Sequence, residues 1–223
     1  MIEIPVHNTA GEQVGTVQVD EQVLGGQVRP ALLKQAYVRT HANRRLGTAA
    51  TKNRSQVAGS TRKLYKQKGT GNARHGPARA NLMRGGGHAH QKQPKSWRQS
   101  MPIKMRRLAN RNAVLAKAVD GEIKLLDKLA LDSPSTSGFS KLLDTLKIDR
   151  SCLVALPSVI GDFAPTARSV GNLPHVRLTR IDQLHTFEIL NHRYLLVDRG
   201  AFEDYLKNAA EQMPRRQRQE AGS

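Results

Sequence analysis

Residues 152–198 read CLVALPSVIGDFAPTARSVGNLPHVRLTRIDQLHTFEILNHRYLLVD. Three apolar runs stand out in this stretch: CLVALP (152–157), HVRLT (175–179) and YLLVD (194–198). Each is too short for a helix and rich in aliphatic side chains, so each reads as a strand. Short helical patterns fill the gaps, near Pro165 to Val170 and around Thr186 to Leu190. Strands alternating with helices, at spacings that suit a crossover, predict a mostly parallel sheet buried on both faces.

The same alternation extends outward in both directions. Upstream lie IKLLD (123–127) after Gly121 and a helix from about Ser137 to Lys147 behind DSPSTSG. Downstream comes a last helix from about Ala201 to Ala210. Before these, Pro102 opens a helix to about Val119, with Leu108, Val114, Leu115 and Ala118 as its apolar stripe and Arg106, Arg107 and Arg111 on the rest of its surface. The N-terminal residues 2–7 and 13–19 read as two strands turning at Gly11, followed by a helix from Pro30 to His41. The expected fold is therefore α/β: a three-layer α/β/α domain with a mostly parallel, Rossmann-like sheet, made of residues 1–46 and 101–212. Residues 47–100 interrupt it as a long basic loop, and residues 213–223, MPRRQRQEAGS, read as a disordered tail in which Arg215, Arg216 and Arg218 are solvated.

Charge singles out the interruption. The 223 residues carry a net charge of +18, yet residues 22–119 contain no Asp or Glu and hold 22 of the 36 Lys and Arg. The remainder is mildly acidic, with 14 basic and 18 acidic residues. Soluble surfaces usually mix both signs, so an acid-free run of this length points to a polyanionic partner, and phosphate backbone is the obvious one. A membrane surface would want an apolar stripe beside the cations, which the loop lacks. No window approaches 18 apolar residues, the single cysteine excludes a disulfide framework, and the first cation is Arg29, which argues against a targeting peptide. The expectation is a soluble, cytoplasmic protein.

From Gly47 to Ser100 large aliphatics are scarce, chiefly Val57, Leu64, Leu82 and Met83, too few to offset the entropy of ordering, so the segment alone should be floppy. Folded back as a hairpin, each arm could reach at most roughly 90 Å. Its sharpest string, Gln67-Lys68-Gly69-Thr70-Gly71-Asn72-Ala73-Arg74-His75-Gly76, matches neither the P-loop nor the dinucleotide pattern. Gly69 and Gly71 instead allow close backbone approach, and Lys66, Lys68 and Arg74 supply phosphate contacts. Gly85-Gly86-Gly87-His88-Ala89-His90 is a poor metal cage without a carboxylate or cysteine in the loop, so no metal or cofactor is expected. Tyr65 and Trp97 are candidates for stacking on unpaired bases, with packing where the loop rejoins the body an equal reading for Trp97.

The candidate RNA contacts are Arg39, Arg44, Arg45, Lys52, Arg54, Arg62, Lys63, Lys66, Lys68, Gly69, Gly71, Arg74, Arg79, Arg84, His88, Lys92, Trp97, Arg98, Lys104, Arg106, Arg107 and Arg111. No nucleophile, base and orienter assemble into a catalytic set, and Cys152 reads as a small core residue. Two other classes remain open at this point: an RNA-modifying enzyme with a basic substrate clamp, and a nucleoid-type DNA-binding protein.

The strings Gly59–Gly76 (GSTRKLYKQKGTGNARHG), Arg84-Gly85-Gly86-Gly87-His88 and Met101-Pro102-Ile103-Lys104-Met105-Arg106-Arg107-Leu108-Ala109, in this order and spacing, closely resemble the bacterial ribosomal protein uL4 family. The chain departs from it in having Leu64-Tyr65 where Pro-Trp is usual and Asn72 in place of a basic residue. The resemblance implies a structural, non-enzymatic constituent of the large ribosomal subunit that binds rRNA early in assembly. It implies partners in large-subunit rRNA (23S type, near its 5' end and in several domains), neighbouring ribosomal proteins and the nascent peptide, and no membrane. It also implies that a long loop threads the rRNA and that its tip, here Tyr65, Lys66, Gln67, Lys68, Gly69, Thr70 and Gly71, lines the polypeptide exit tunnel beside another protein's extension.

Overall fold

The computed structural model describes residues 1–131, 133–159 and 161–212; the expected tail at 213–223 lies outside them. The described chain divides into two compact units, one of residues 1–41 with 100–212 and one of residues 42–99.

In the first unit the N-terminal strands β1 (Ile2–His7) and β2 (Gln13–Val19) form an antiparallel hairpin. Asn8 closes its turn, the side-chain Oδ1 accepting from the backbone N–H groups of Ala10 and Glu12, both at 2.9 Å. Helices α1 (Pro30–Asn43) and α2 (Ile103–Val119) flank the insert. Then follow β3 (Ile123–Leu126), α3 (Thr136–Thr145), β4 (Cys152–Leu156), α4 (Ala164–Val170), β5 (Val176–Arg180), α5 (Thr186–Asn191), β6 (Tyr194–Asp198) and α6 (Arg199–Glu211). The six strands make one sheet in the order β2-β1-β3-β6-β4-β5, parallel throughout except for β2.

Burial explains the order. All five residues of β4 are buried, as an uninterrupted apolar run requires of an interior strand, whereas β2 alternates and takes an edge. Adjacent buried side chains of β3, β4 and β6 belong to different core clusters. Leu125, Leu153, Ala155, Leu195 and Val197 pack with Leu33 of α1, Val114 and Leu115 of α2, Ile189 of α5 and Phe202 of α6. Leu126, Cys152, Val154, Leu156 and Leu196 pack with Phe139, Leu142 and Leu143 of α3 and Val170 of α4. The period-two geometry of a strand thus divides the helices into two sets.

Element ends move by a residue or two from expectation, for local reasons. Lys147 adopts φ +57° and ends α3 early, and His175 at φ +64° delays β5 to Val176. The last helix begins earlier than expected because Asp198 caps it, its Oδ2 accepting from the N–H of Gly200 at 3.1 Å.

One side chain is corrected outright. Arg111 does not lie on the surface of α2; it is buried at 7% exposure, and its Nη1 donates to the carbonyls of Val23 (3.2 Å) and Ala209 (3.3 Å). The periodicity of α2 marks its sheet-facing stripe, but α6 and the segment before α1 cover a further face, so Arg111 is enclosed between them.

Two asparagines of α2 tie distant segments together. Asn112 is fully buried; its Oδ1 accepts from Arg29 N–H at 2.7 Å and its Nδ2 donates to Gln27 O at 2.6 Å, which fixes the entry into α1. Asn110 Oδ1 accepts from the N–H and the hydroxyl of Thr186, at 3.0 and 2.8 Å, and so holds the start of α5.

Candidate nucleic-acid interface

The insert contains no helix or named strand, yet its two arms are held in antiparallel register. At the neck the side chain of Asn43 meets the backbone of Gln99, followed by Lys95 N–H to Gly47 O (3.0 Å), Thr51 N–H to Lys92 O (3.0 Å) and His88 N–H to Lys52 O (2.9 Å). Farther out, Lys63 bridges Pro77 and Leu64 N–H donates to Gly76 O at 3.1 Å. The last two pairs are symmetric about Thr70, so the chain reverses there, and the flanking Gly69 and Gly71 take left-handed φ angles of +82° and +67°. Beside the reversal the Tyr65 hydroxyl donates to Ala73 O, its ring meets the His75 ring edge-on, and Lys63 Nζ donates to Gln67 Oε1.

Nothing like a core supports this hairpin. Gly87 is the one buried residue between 42 and 99, and it is buried because the backbone of Arg54 passes directly against its α-carbon, where a Cβ would overlap it. Fourteen Lys and Arg, and no acid, occupy the same interval. Arg44, Arg45, Lys52, Arg54, Arg62, Lys63, Lys66, Lys68, Arg74, Arg84, Lys92 and Arg98 are exposed, as is His88, and Arg79 is half-buried. The result is a ribbon of cations on a backbone whose two arms are joined by few hydrogen bonds. Such a ribbon matches a phosphate-lined channel, where charge-assisted bonds replace the missing core.

Trp97 packs inside the insert. The Arg45 guanidinium lies 3.9 Å from its ring centre and the Lys95 ammonium 4.9 Å, a cation–π cluster at the neck. Sequence reasoning had not placed Lys95, Asn43 or Gln99 in any role, because amide and Lys residues carry no periodic signal. On the body, Lys104, Arg106 and Arg107 are exposed on α2, Arg39 of α1 is half-buried, and Arg111 is withdrawn as described. Among the described residues no three His, Cys, Asp or Glu side chains gather as a metal site, and no helix is long and apolar enough to cross a membrane.

The sequence profile of the Ribosomal protein L4/L1 family matches residues 17–208. The large ribosomal subunit protein uL4 of Pelotomaculum thermopropionicum is 40% identical over 201 residues, covering 90% of this chain and 96% of its own length. That of Dehalococcoides mccartyi is 38% identical over 200 residues, covering 90% and 94%. That of Ruminiclostridium cellulolyticum is 34% identical over 203 residues, covering 91% and 97%. With the α/β body, the acid-free insert and these matches spanning nearly its full length, the chain belongs to the ribosomal protein uL4 family.

Proposed function

We propose that residues 47–100 thread between rRNA segments of the large subunit and that the turn at Tyr65–Gly71 lines the polypeptide exit tunnel. The setting is that of the family: a non-enzymatic, structural protein of the large ribosomal subunit. In the proposed arrangement the body, residues 1–46 and 101–212, forms a three-layer domain with a Rossmann-like sheet that docks on the outside of the subunit. Its partners are 23S-type rRNA near the 5' end and in several domains, neighbouring ribosomal proteins and, at the turn, the nascent peptide of cytoplasmic ribosomes. Binding occurs early in assembly.

One observation carries the reading: an acid-free hairpin, most of it exposed, whose single buried residue is a glycine. Ordering such a segment needs counter-charge from outside the chain, and RNA phosphates supply it while releasing bound cations. The exposed Lys and Arg of the arms contact phosphate, Gly69 and Gly71 let the backbone turn within a narrow space, and the shape of the RNA together with docking of the body gives specificity. The arms' registered hydrogen bonds reduce the entropy that the RNA must offset.

Sedimentation of a cell extract through a sucrose gradient after a high-salt wash tests this. Stoichiometric retention in the large-subunit peak is expected, because an adherent polycation washes off. Release to the top of the gradient would refute the threaded arrangement.

A further inference from the structure

Outside the insert, α2 lines a cavity of about 340 Å³ with Arg107 and Arg111, one helical turn apart. Its other walls carry Ser158, which follows β4, Asp182, which follows β5, and Tyr205 and Asn208 of α6, which follows β6. We propose that this cavity is an anion-binding site that seats a phosphate group.

The argument begins with Arg111. It is more than nine-tenths buried, and its Nε has no hydrogen-bond partner among the described residues. Its Nη1 is bonded to two neutral carbonyls, and among the described residues no carboxylate lies within ion-pair distance of it. The one acidic wall residue, Asp182, is engaged by Arg180 at 3.1 Å. A buried guanidinium normally has a counter-ion, because desolvation without one is expensive. Burial lowers the Arg111 pKa, the Tyr205 phenol pulls it the other way, and Arg107 adds to the lowering by like-charge repulsion. An anion in the cavity relieves both the desolvation and the repulsion.

The remaining groups fit a phosphate. Ser158, Tyr205 and Asn208 bring hydroxyl and amide donors to the same space as the two guanidinium groups. That combination matches a tetrahedral group with several acceptor oxygens better than a carboxylate with two. The position also follows the rule for open α/β sheets, whose ligands sit beyond the carboxyl ends of strands where successive connections diverge. Here β4 leads to α4 in one core cluster, while its neighbour β6 leads to α6 in the other. The phosphate comes either from an RNA backbone or from a free phosphoryl compound.

The test uses the intact protein and Asn208→Asp, which puts a carboxylate on the cavity wall without altering the insert. Asn208 is exposed, and circular dichroism checks that the variant keeps the fold. Thermal unfolding is followed in low-millimolar potassium phosphate and in potassium chloride of equal ionic strength, and affinity for large-subunit rRNA is measured for both proteins. A saturable rise of the midpoint in phosphate that Asn208→Asp abolishes and Asn208→Gln retains identifies a site for free phosphate. A several-fold loss of rRNA affinity in Asn208→Asp, with no such rise in either protein, identifies a site for an RNA phosphate. A rise that Asn208→Asp keeps, or no change in either readout, overturns the proposal. That failure would leave the reading of the insert standing, since Asn208 lies on α6.

Discussion

Asn43 and Gln99 exchange two hydrogen bonds at the root of the insert: Gln99 N–H donates to Asn43 Oδ1 at 2.7 Å, and Asn43 Nδ2 donates to Gln99 O at 3.2 Å. A side-chain amide here does the work of a backbone pair, because Asn43 is the last residue of α1 and its own backbone is committed to the helix. The first rung of the hairpin therefore joins the end of a helix to the returning arm.

Asn43→Ala removes both bonds at an exposed site, for an expected loss of about 0.5–1.5 kcal/mol per bond. The neck should loosen while the body keeps its stability. Trp97 is the only tryptophan and sits two residues from Gln99, so its emission should shift to longer wavelength as the Arg45 and Lys95 contacts weaken. Asn43→Asp keeps the acceptor for Gln99 N–H and should retain most of the native emission. Identical spectra for all three proteins would mean that the amide bridge does not hold the neck.

Asn112→Ala should be among the more damaging substitutions of the body. It empties a fully buried position and removes two part-buried bonds, to the Arg29 N–H and the Gln27 carbonyl, at about 0.5–1.5 kcal/mol for each bond. Urea denaturation should reveal a lower midpoint with an unchanged slope. Asn112→Asp preserves the acceptor but loses the donor and buries a charge, so it should not rescue. A midpoint near that of the parent protein in either variant would show that the entry into α1 is fixed by other contacts.

The contrast between these residues and the strands explains what the sequence could reveal. β4 and β6 were legible because five consecutive buried positions in the first and four in the second leave a largely apolar run. The insert was legible because charge accumulates without any need for structure. Asn43, Asn112 and Arg111 were not, since each acts across 56 to 98 residues on a backbone group, and a backbone group has no letter of its own. Arg111 misled for the same reason: helical periodicity gives one stripe, and only the arrival of α6 decides that a second face is covered. The register of the insert's arms was equally hidden, because neither arm alternates apolar and polar residues.

The core also sets an alkaline limit. Burial pushes the Cys152 thiol up from 9.0 to about 12, against a smaller opposing hydrogen bond from the Leu196 backbone, and burial likewise raises the Tyr205 phenol above its usual 10.0. Both groups are acids held neutral by folding. Their contribution is complete below the unfolded values and is lost as pH rises through the interval from about 9 upward, by at most about 1.4 kcal/mol per pH unit for each group. Unfolding midpoints in urea should therefore fall between pH 9 and 10.5, and Cys152→Ala should flatten the start of that fall. At pH 8 the native thiol should resist Ellman's reagent and react only as the chain unfolds. Rapid labelling of the folded protein would contradict the burial of β4.

The sharpest test of the insert separates affinity from position. Replacing Lys66, Lys68 and Arg74 together by Gln removes three exposed cations near the turn without touching the neck. If each contacts a phosphate, the slope of log affinity for large-subunit rRNA against log salt should become shallower by about 2–3. Replacing residues 47–100 by a short turn should flatten it further. Lys68→Glu, a single change beside the reversal at Thr70, should alter tunnel-dependent behaviour, such as macrolide sensitivity, in ribosomes that carry it more than it lowers rRNA affinity. An unchanged salt slope in the triple variant would deny the phosphate contacts. Ribosomes with Lys68→Glu that translate and respond to macrolides as the parent does would instead deny the tunnel position of the turn, so the two halves of the proposal fall to different measurements.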